Sequence, residues 1–155
     1  MVYNIDELDI EILKILSRDS TISNSSIANQ LDKHPTTIAN HVTELKKKGI
    51  IKDFSITIDY EKLGYDIIAV IELTISKGKM LEVEKDIAKT PNVFAVYDIT
   101  GQYDALVLTR CKDRRALSEL VKKINSYEYV IRTNTHLILN VIKEGTDFLD
   151  LMKME

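Results

Sequence analysis

Apolar residues in the first fifty positions recur at helical spacing, and from about Ile50 the spacing changes to every second position. Leu8, Ile12, Ile15 and Leu16 fall at i, i+4, i+7 and i+8, which predicts an amphipathic helix from about Asp6 to Ser17 with Asp6 and Glu7 at its positive end. Ser23 is placed to cap a second, shorter helix with Ile27, Ala28 and Leu31 facing inward. Pro35 suits the first position of a third helix carrying Ile38, Val42 and Leu45, and Gly49 suits its left-handed end. Three short helices with a brief turn between the last two predict a helix-turn-helix module over residues 1–52.

Phe54, Ile56 and Ile58 alternate with Asp53, Ser55, Thr57 and Asp59, so a linker strand and hinge are expected over residues 53–65. A second module follows over 66–143. Ile67 to Ser76 is a β-branched run, Met80, Val83 and Ile87 mark a helix stopped by Pro91, and Val93 to Thr100 with Ala105 to Arg110 form a hairpin. Leu117, Leu120, Val121 and Ile124 mark another helix, and Val130 to Ile142 the last strand. The order is βαββαβ, so the fold class is α+β, a helix-turn-helix domain joined by a linker strand to a ferredoxin-like domain. Residues 144–155 are left as a C-terminal tail, a short packed helix or a frayed end.

The chain has 155 residues and a net charge of −3, which excludes a uniformly basic coat. The charges are nevertheless segregated. Residues 1–32 hold six acids and two bases, whereas 33–52 hold five lysines and one acid, so the third helix and its flanks form a basic edge. Cys111 stands alone, no apolar run approaches the ~20 residues that span a bilayer, and the acidic start lacks the flank of a signal peptide. A cytoplasmic protein with no membrane partner is expected.

If the first module binds double-stranded DNA, the third helix enters the major groove. Thr36, Thr37, Asn40 and His41 are then the exposed candidates for base edges, and Lys33, Lys46, Lys47 and Lys48 suit phosphates. His34, at the cap, joins this DNA-facing set. The lysines taken alone equally describe a solvated helix end. The histidines His34, His41 and His136 lie in different elements with no cysteine or carboxylate at zinc-helix spacing, and the five glycines are scattered singly. No metal, cofactor or catalytic group is expected. In the second module, the turn Gly101-Gln102-Tyr103-Asp104 offers N–H groups and a carboxylate to a zwitterion, and Thr133 and Thr135 share one side of the last strand. An ordinary turn and ordinary strand threonines account for the same residues.

The string Leu8-Asp9-x-x-Ile12-Leu13-x-x-Leu16, then Ile27-Ala28, then Leu45-x-x-x-Gly49-Ile50-Ile51-Lys52, resembles the Lrp/AsnC family of feast/famine transcription regulators. Gly101-x-x-Asp104 and Thr133-x-Thr135 resemble that family's amino-acid-sensing domain. The resemblance implies a sequence-specific DNA-binding regulator, not an enzyme. It implies a homodimer that assembles further into tetramers, octamers or higher rings, with an amino-acid effector between dimers near Gly101, Gln102, Tyr103, Asp104, Thr133 and Thr135. This sequence departs from the family at His34, where Ser is usual, at His41, which replaces a frequent Arg, and at Thr43 and Glu44, where bases are usual. Two alternatives share the architecture. One is a siroheme-decarboxylase-like enzyme using His136 and Arg132; the other is an amino-acid sensor without DNA binding.

Overall fold

The computed structural model describes residues 4–145. The tail expected over 144–155 therefore lies outside the described residues beyond Gly145. The chain divides into two compact units near Thr57 and Ile58, and each has its own core.

The first unit holds α1 (Glu7–Arg18), α2 (Asn24–Leu31) and α3 (Pro35–Lys47). Their starts follow from capping chemistry. Asp6 accepts from the Asp9 backbone N–H while the Asp9 carboxylate accepts from the Asp6 N–H, a reciprocal capping box, and Ser23 accepts from the Ser26 N–H. His34 caps α3 through Nδ1, which accepts from the Thr36 N–H at 3.4 Å, ahead of Pro35 at the first position. At the far end of α3, Gly49 takes φ +70, and the Leu45 carbonyl accepts from the N–H groups of Ile50 and Ile51. Ile12, Leu16, Ile27, Ala28, Ile38, Val42 and Leu45 are the buried residues that these three helices share.

Residues 53–59 form no strand within the chain, in contrast to the linker strand that their alternation predicts. A strand needs a neighbour to satisfy its ladder, and among the described residues none lies alongside. Phe54, Ile56 and Ile58 are 39%, 75% and 40% exposed. One 3₁₀ turn, Glu61–Leu63, follows and closes on Gly64 at φ +80.

The second unit contains β1 (Ile67–Ile75), α4 (Met80–Ala88), β2 (Val93–Asp98), β3 (Ala105–Cys111), α5 (Arg114–Asn125) and β4 (Val130–Ile138). The last strand thus ends four residues before the expected Ile142, because β1 offers no pairing partner beyond Ile138. The sheet is antiparallel throughout, in the order β2-β3-β1-β4. Both helices cover one face, where Ile71, Leu73 and Ile75 of β1 and Ala105, Val107 and Cys111 of β3 meet Val83 and Ile87 of α4 and Leu120 and Ile124 of α5. This is the ferredoxin-like arrangement expected from the order of elements. The other sheet face carries Ile68, Val70, Glu72 and Thr74 by the two-residue alternation of β1.

Candidate functional site

On α3 the residues turned away from Ile38, Val42 and Leu45 are Thr36, Asn40, Thr43 and Lys47, all exposed and spaced along one stripe. Thr37 is half-buried. The Thr36 hydroxyl lies 3.1 Å from His34 Nδ1, so the cap and the first hydroxyl of the stripe are tied together. Lys33 is exposed just before the helix. Lys47 donates to Glu44 at 2.6 Å and holds that carboxyl below its usual range, first by the hydrogen bond and then by its charge. Lys46 stands 4.5 Å over the Phe54 ring. Both lysines remain on the surface, where such pairings are weak enough to exchange for a phosphate.

His41 differs from its expected place. Instead of facing solvent it is half-buried, with Nδ1 2.7 Å from Asp9 Oδ1 and 4.0 Å from Asp6 Oδ1. An ionised carboxylate only accepts, so Nδ1 carries the proton and donates to Asp9. The sequence contained a signal for this contact. Asp9 shares the stripe of Ile12 and Leu16 and is 6% exposed, a position an acid tolerates only with a partner. The three groups Asp6, Asp9 and His41 come within 4.8 Å of one another, a convergence of ligand-type atoms that separation along the chain concealed. Their polar atoms are engaged in the capping box and in the bond between α1 and α3.

The turn between β2 and β3 is organised by Asp104. Its N–H donates to the Leu73 carbonyl at 2.8 Å, its carbonyl accepts from Ile99 at 2.9 Å, and its Oδ2 accepts from the Ile75 N–H at 2.8 Å. One carboxylate oxygen is therefore spent on holding the hairpin to the end of β1. Gly101 adopts φ +128, which side-chain-bearing residues rarely reach, and Gln102 beside it is exposed. The six turn and strand candidates do not all meet. Thr133 pairs with Leu73 on the helix-covered side, where its hydroxyl donates to Asn125 at 3.2 Å, and Thr135 pairs with Ile71 on that side. Tyr103 instead lies with Arg132, whose guanidinium is 5.3 Å from the ring centre and whose side of β4 is opposite that of Thr133.

Arg132 and His136 are likewise drawn into surface contacts. His136 Nε2 lies 3.0 Å from Glu72 Oε2, and Asn134 also donates to that oxygen. These hydrogen bonds, His136 first, lower the Glu72 pKa.

Glu84 is a functional candidate that sequence reading missed. It lies on the inward stripe of α4 with Val83 and Ile87, is 7% exposed, and its Oε1 is buried without a hydrogen-bond partner. Burial first, and then the charges of Asp98 and Asp104, push its pKa above the usual 4.5. The signal was an acid on an apolar stripe, as at Asp9, but Glu84 has no donor opposite. Among the described residues no helix is long and apolar enough to cross a membrane.

Residues 68–148 match the family described as the Lrp/AsnC ligand binding domain, and residues 5–52 match the winged helix-turn-helix DNA-binding family. An HTH-type transcriptional regulator of Pyrococcus abyssi is 40% identical over 140 residues, covering 90% of this chain and 95% of its own. Among solved structures, E. coli AsnC superposes with a TM-score of 0.88 at 27% identity, covering 94% of this chain and 99% of its own. A Neisseria meningitidis regulator in complex with L-Met gives 0.85 at 23% identity, covering 92% and 95%, and so shares the fold.

Two outcomes follow from the buried acids. Asp9→Ala strands the His41 donor and removes half of the capping box, so denaturant unfolding of the first unit should lose ~1–3 kcal/mol, whereas an unchanged midpoint would contradict the contact. Folded Glu84 keeps its proton to higher pH than the unfolded chain, so its favourable share of stability is full below 4.5 and declines as pH rises through the raised folded value. Glu84→Gln should therefore melt higher than wild type at neutral pH, with the gap closing as pH approaches 4.5. A gap independent of pH would refute the assignment.

The two domain matches in this order, the full-length relatives and the shared fold place the chain in the Lrp/AsnC family of HTH-type transcription regulators, which are not enzymes.

Proposed function

We propose that the chain binds operator DNA as a homodimer through α3 and that a small amino-acid effector modulates it at the β2–β3 turn. The observation that carries the DNA reading is the exposed stripe Thr36, Asn40, Thr43 and Lys47 on a helix whose other sides are fixed to α1 and α2. Asn40 reads a base edge, Thr36 and Thr37 flank it near the helix start, and Lys33, Lys46 and Lys47 take phosphates. His34 holds the cap. His41 acts from behind, as a positioning residue.

The alternating apolar side chains of residues 53–59 support the dimer. They are exposed and have no paired strand among the described residues, which suits pairing with the same segment of a second chain across a two-fold axis. That segment, taken with the 3₁₀ turn as a linker over 53–65, joins a DNA-binding head of residues 1–52 to a sensing and assembly domain of residues 66–143. Tetramers, octamers or higher assemblies built from such dimers would bring the turns of different dimers together, and an effector favouring one assembly would favour one arrangement of heads. The effector reading rests on the exposed glycine turn that Asp104 anchors; the L-Met held by the Neisseria regulator is an example of such a ligand in a protein of the same fold. The lone buried thiol of Cys111 supports a cytoplasmic location.

Replacing Asn40 with Ala should cost about tenfold or more in affinity for the operator while leaving nonspecific binding and the sedimentation coefficient unchanged. Unaltered operator binding would remove α3 as the reading helix and favour a sensor without DNA binding. Replacing Ile56 with Asp should shift sedimentation at micromolar concentration from dimer toward monomer, and a variant as dimeric as wild type would exclude the linker pairing.

A further inference from the structure

The chain is acidic overall, and its positive charge is concentrated in two segments. Residues 33–52 carry five bases and one acid, and residues 110–123 carry six bases and two acids, whereas the rest of the chain holds ten bases and twenty-one acids. The first segment contains α3. The second contains the end of β3 and most of α5, and neither DNA reading by α3 nor effector binding at the β2–β3 turn uses it.

The face of α5 opposite its buried Leu120 and Ile124 is a polar stripe of Arg115, Ser118 and Lys122, with Arg114 at its edge, and all four are exposed. Arg114 and Arg115 sit in the first turn, where the helix dipole opposes positive charge. The neighbouring acids do little to offset them. The Asp113 carboxylate caps the helix by accepting from the Ala116 N–H, and Glu119 accepts from Arg115 in a surface pair exposed enough to exchange. Among the described residues Arg114 and Lys122 have no ion pair. Cations set at the positive end of a helix, without acids of their own, call for an anionic partner.

We propose that this stripe binds the phosphate backbone of DNA flanking the operator, as a second and sequence-independent contact. The proposal rests on the DNA reading above and extends it. Guanidinium forks grip phosphate bidentately, Lys122 adds a point charge, and the Ser118 hydroxyl between them donates. Arg115 and Lys122 stand two turns apart, about 10 Å along the helix, which is the axial rise of about three phosphates of one strand. Phosphates carry no sequence information, so the stripe adds affinity and length of bound DNA while α3 chooses the site. DNA already held by α3 is presented to the stripe at high effective concentration, so a few exposed cations suffice.

Fluorescence anisotropy of the full chain across a salt series tests the contact. Two duplexes are compared, the shortest that keeps sequence preference and the same duplex extended by about 20 base pairs on each side. Wild type should bind the extended duplex about tenfold or more tightly, with a log–log salt slope steeper by about 2–3 for each stripe engaged. A variant carrying Arg114→Gln, Arg115→Gln and Lys122→Gln should lose that gain and keep wild-type affinity for the short duplex. Glu119→Gln, which releases Arg115, should tighten binding to the extended duplex alone, whereas Asn40→Ala should weaken binding to both. Equal wild-type slopes on the two duplexes, a triple variant that retains the gain, a loss shared by both duplexes, or a Glu119→Gln no tighter than wild type would each overturn the α5 contact and leave α3 as the reading helix. Binding of neither duplex by wild type would overturn both readings. A lower sedimentation coefficient of the DNA-free triple variant, with unchanged circular dichroism, would assign the stripe to the acidic face of a second copy and also overturn the proposal.

Discussion

The orientation of the third helix depends on one polar contact across the head, the 2.7 Å bond between Asp9 Oδ1 and His41 Nδ1. Apolar packing by Ile12, Ile38 and Val42 holds α1 and α3 together but tolerates rotation, whereas a directional bond to a nearly buried carboxylate fixes which side of α3 faces out. The same Asp9 closes the capping box of α1. Start of the first helix and outward face of the third are thus set by one side chain. Once they are set, Asn40 and its neighbours on the stripe are presented together.

The second unit uses a carboxylate in a comparable way. Asp104 binds the backbone at the end of β1 and so holds the hairpin turn in place. The turn then presents an exposed glycine at a conformation other residues seldom take. Glu84 on α4 is the counterexample, a buried acid whose Oε1 has no hydrogen-bond partner among the described residues.

Much of the fold was legible in the sequence because its apolar spacing changes cleanly from helical to alternating. Among the described residues the five α-helices and four sheet strands fall where that spacing puts them, apart from β2, which ends at Asp98 rather than Thr100, and the shortened β4. The sites were less legible, for a physical reason. Local rules place a residue on a face, but a partner 32 positions away decides whether His41 looks outward or inward. Period-two alternation placed Thr133 and Thr135 on one side correctly, yet could not reveal that Tyr103 would settle with Arg132 on the other. The linker 53–59 shows the converse, since its pattern is that of a strand and the described residues offer it no neighbour. Asp9 and Glu84 were both visible as acids on apolar stripes, a mark of tertiary or functional pairing that apolar periodicity ignores.

Fluorescence anisotropy of wild type on a DNA fragment from the region upstream of its own coding sequence, against a scrambled fragment and across a salt series, tests the central claim most directly. Tighter binding to the upstream fragment, with log affinity falling linearly against log salt, is the predicted result. No binding to either fragment at the lowest salt would contradict it.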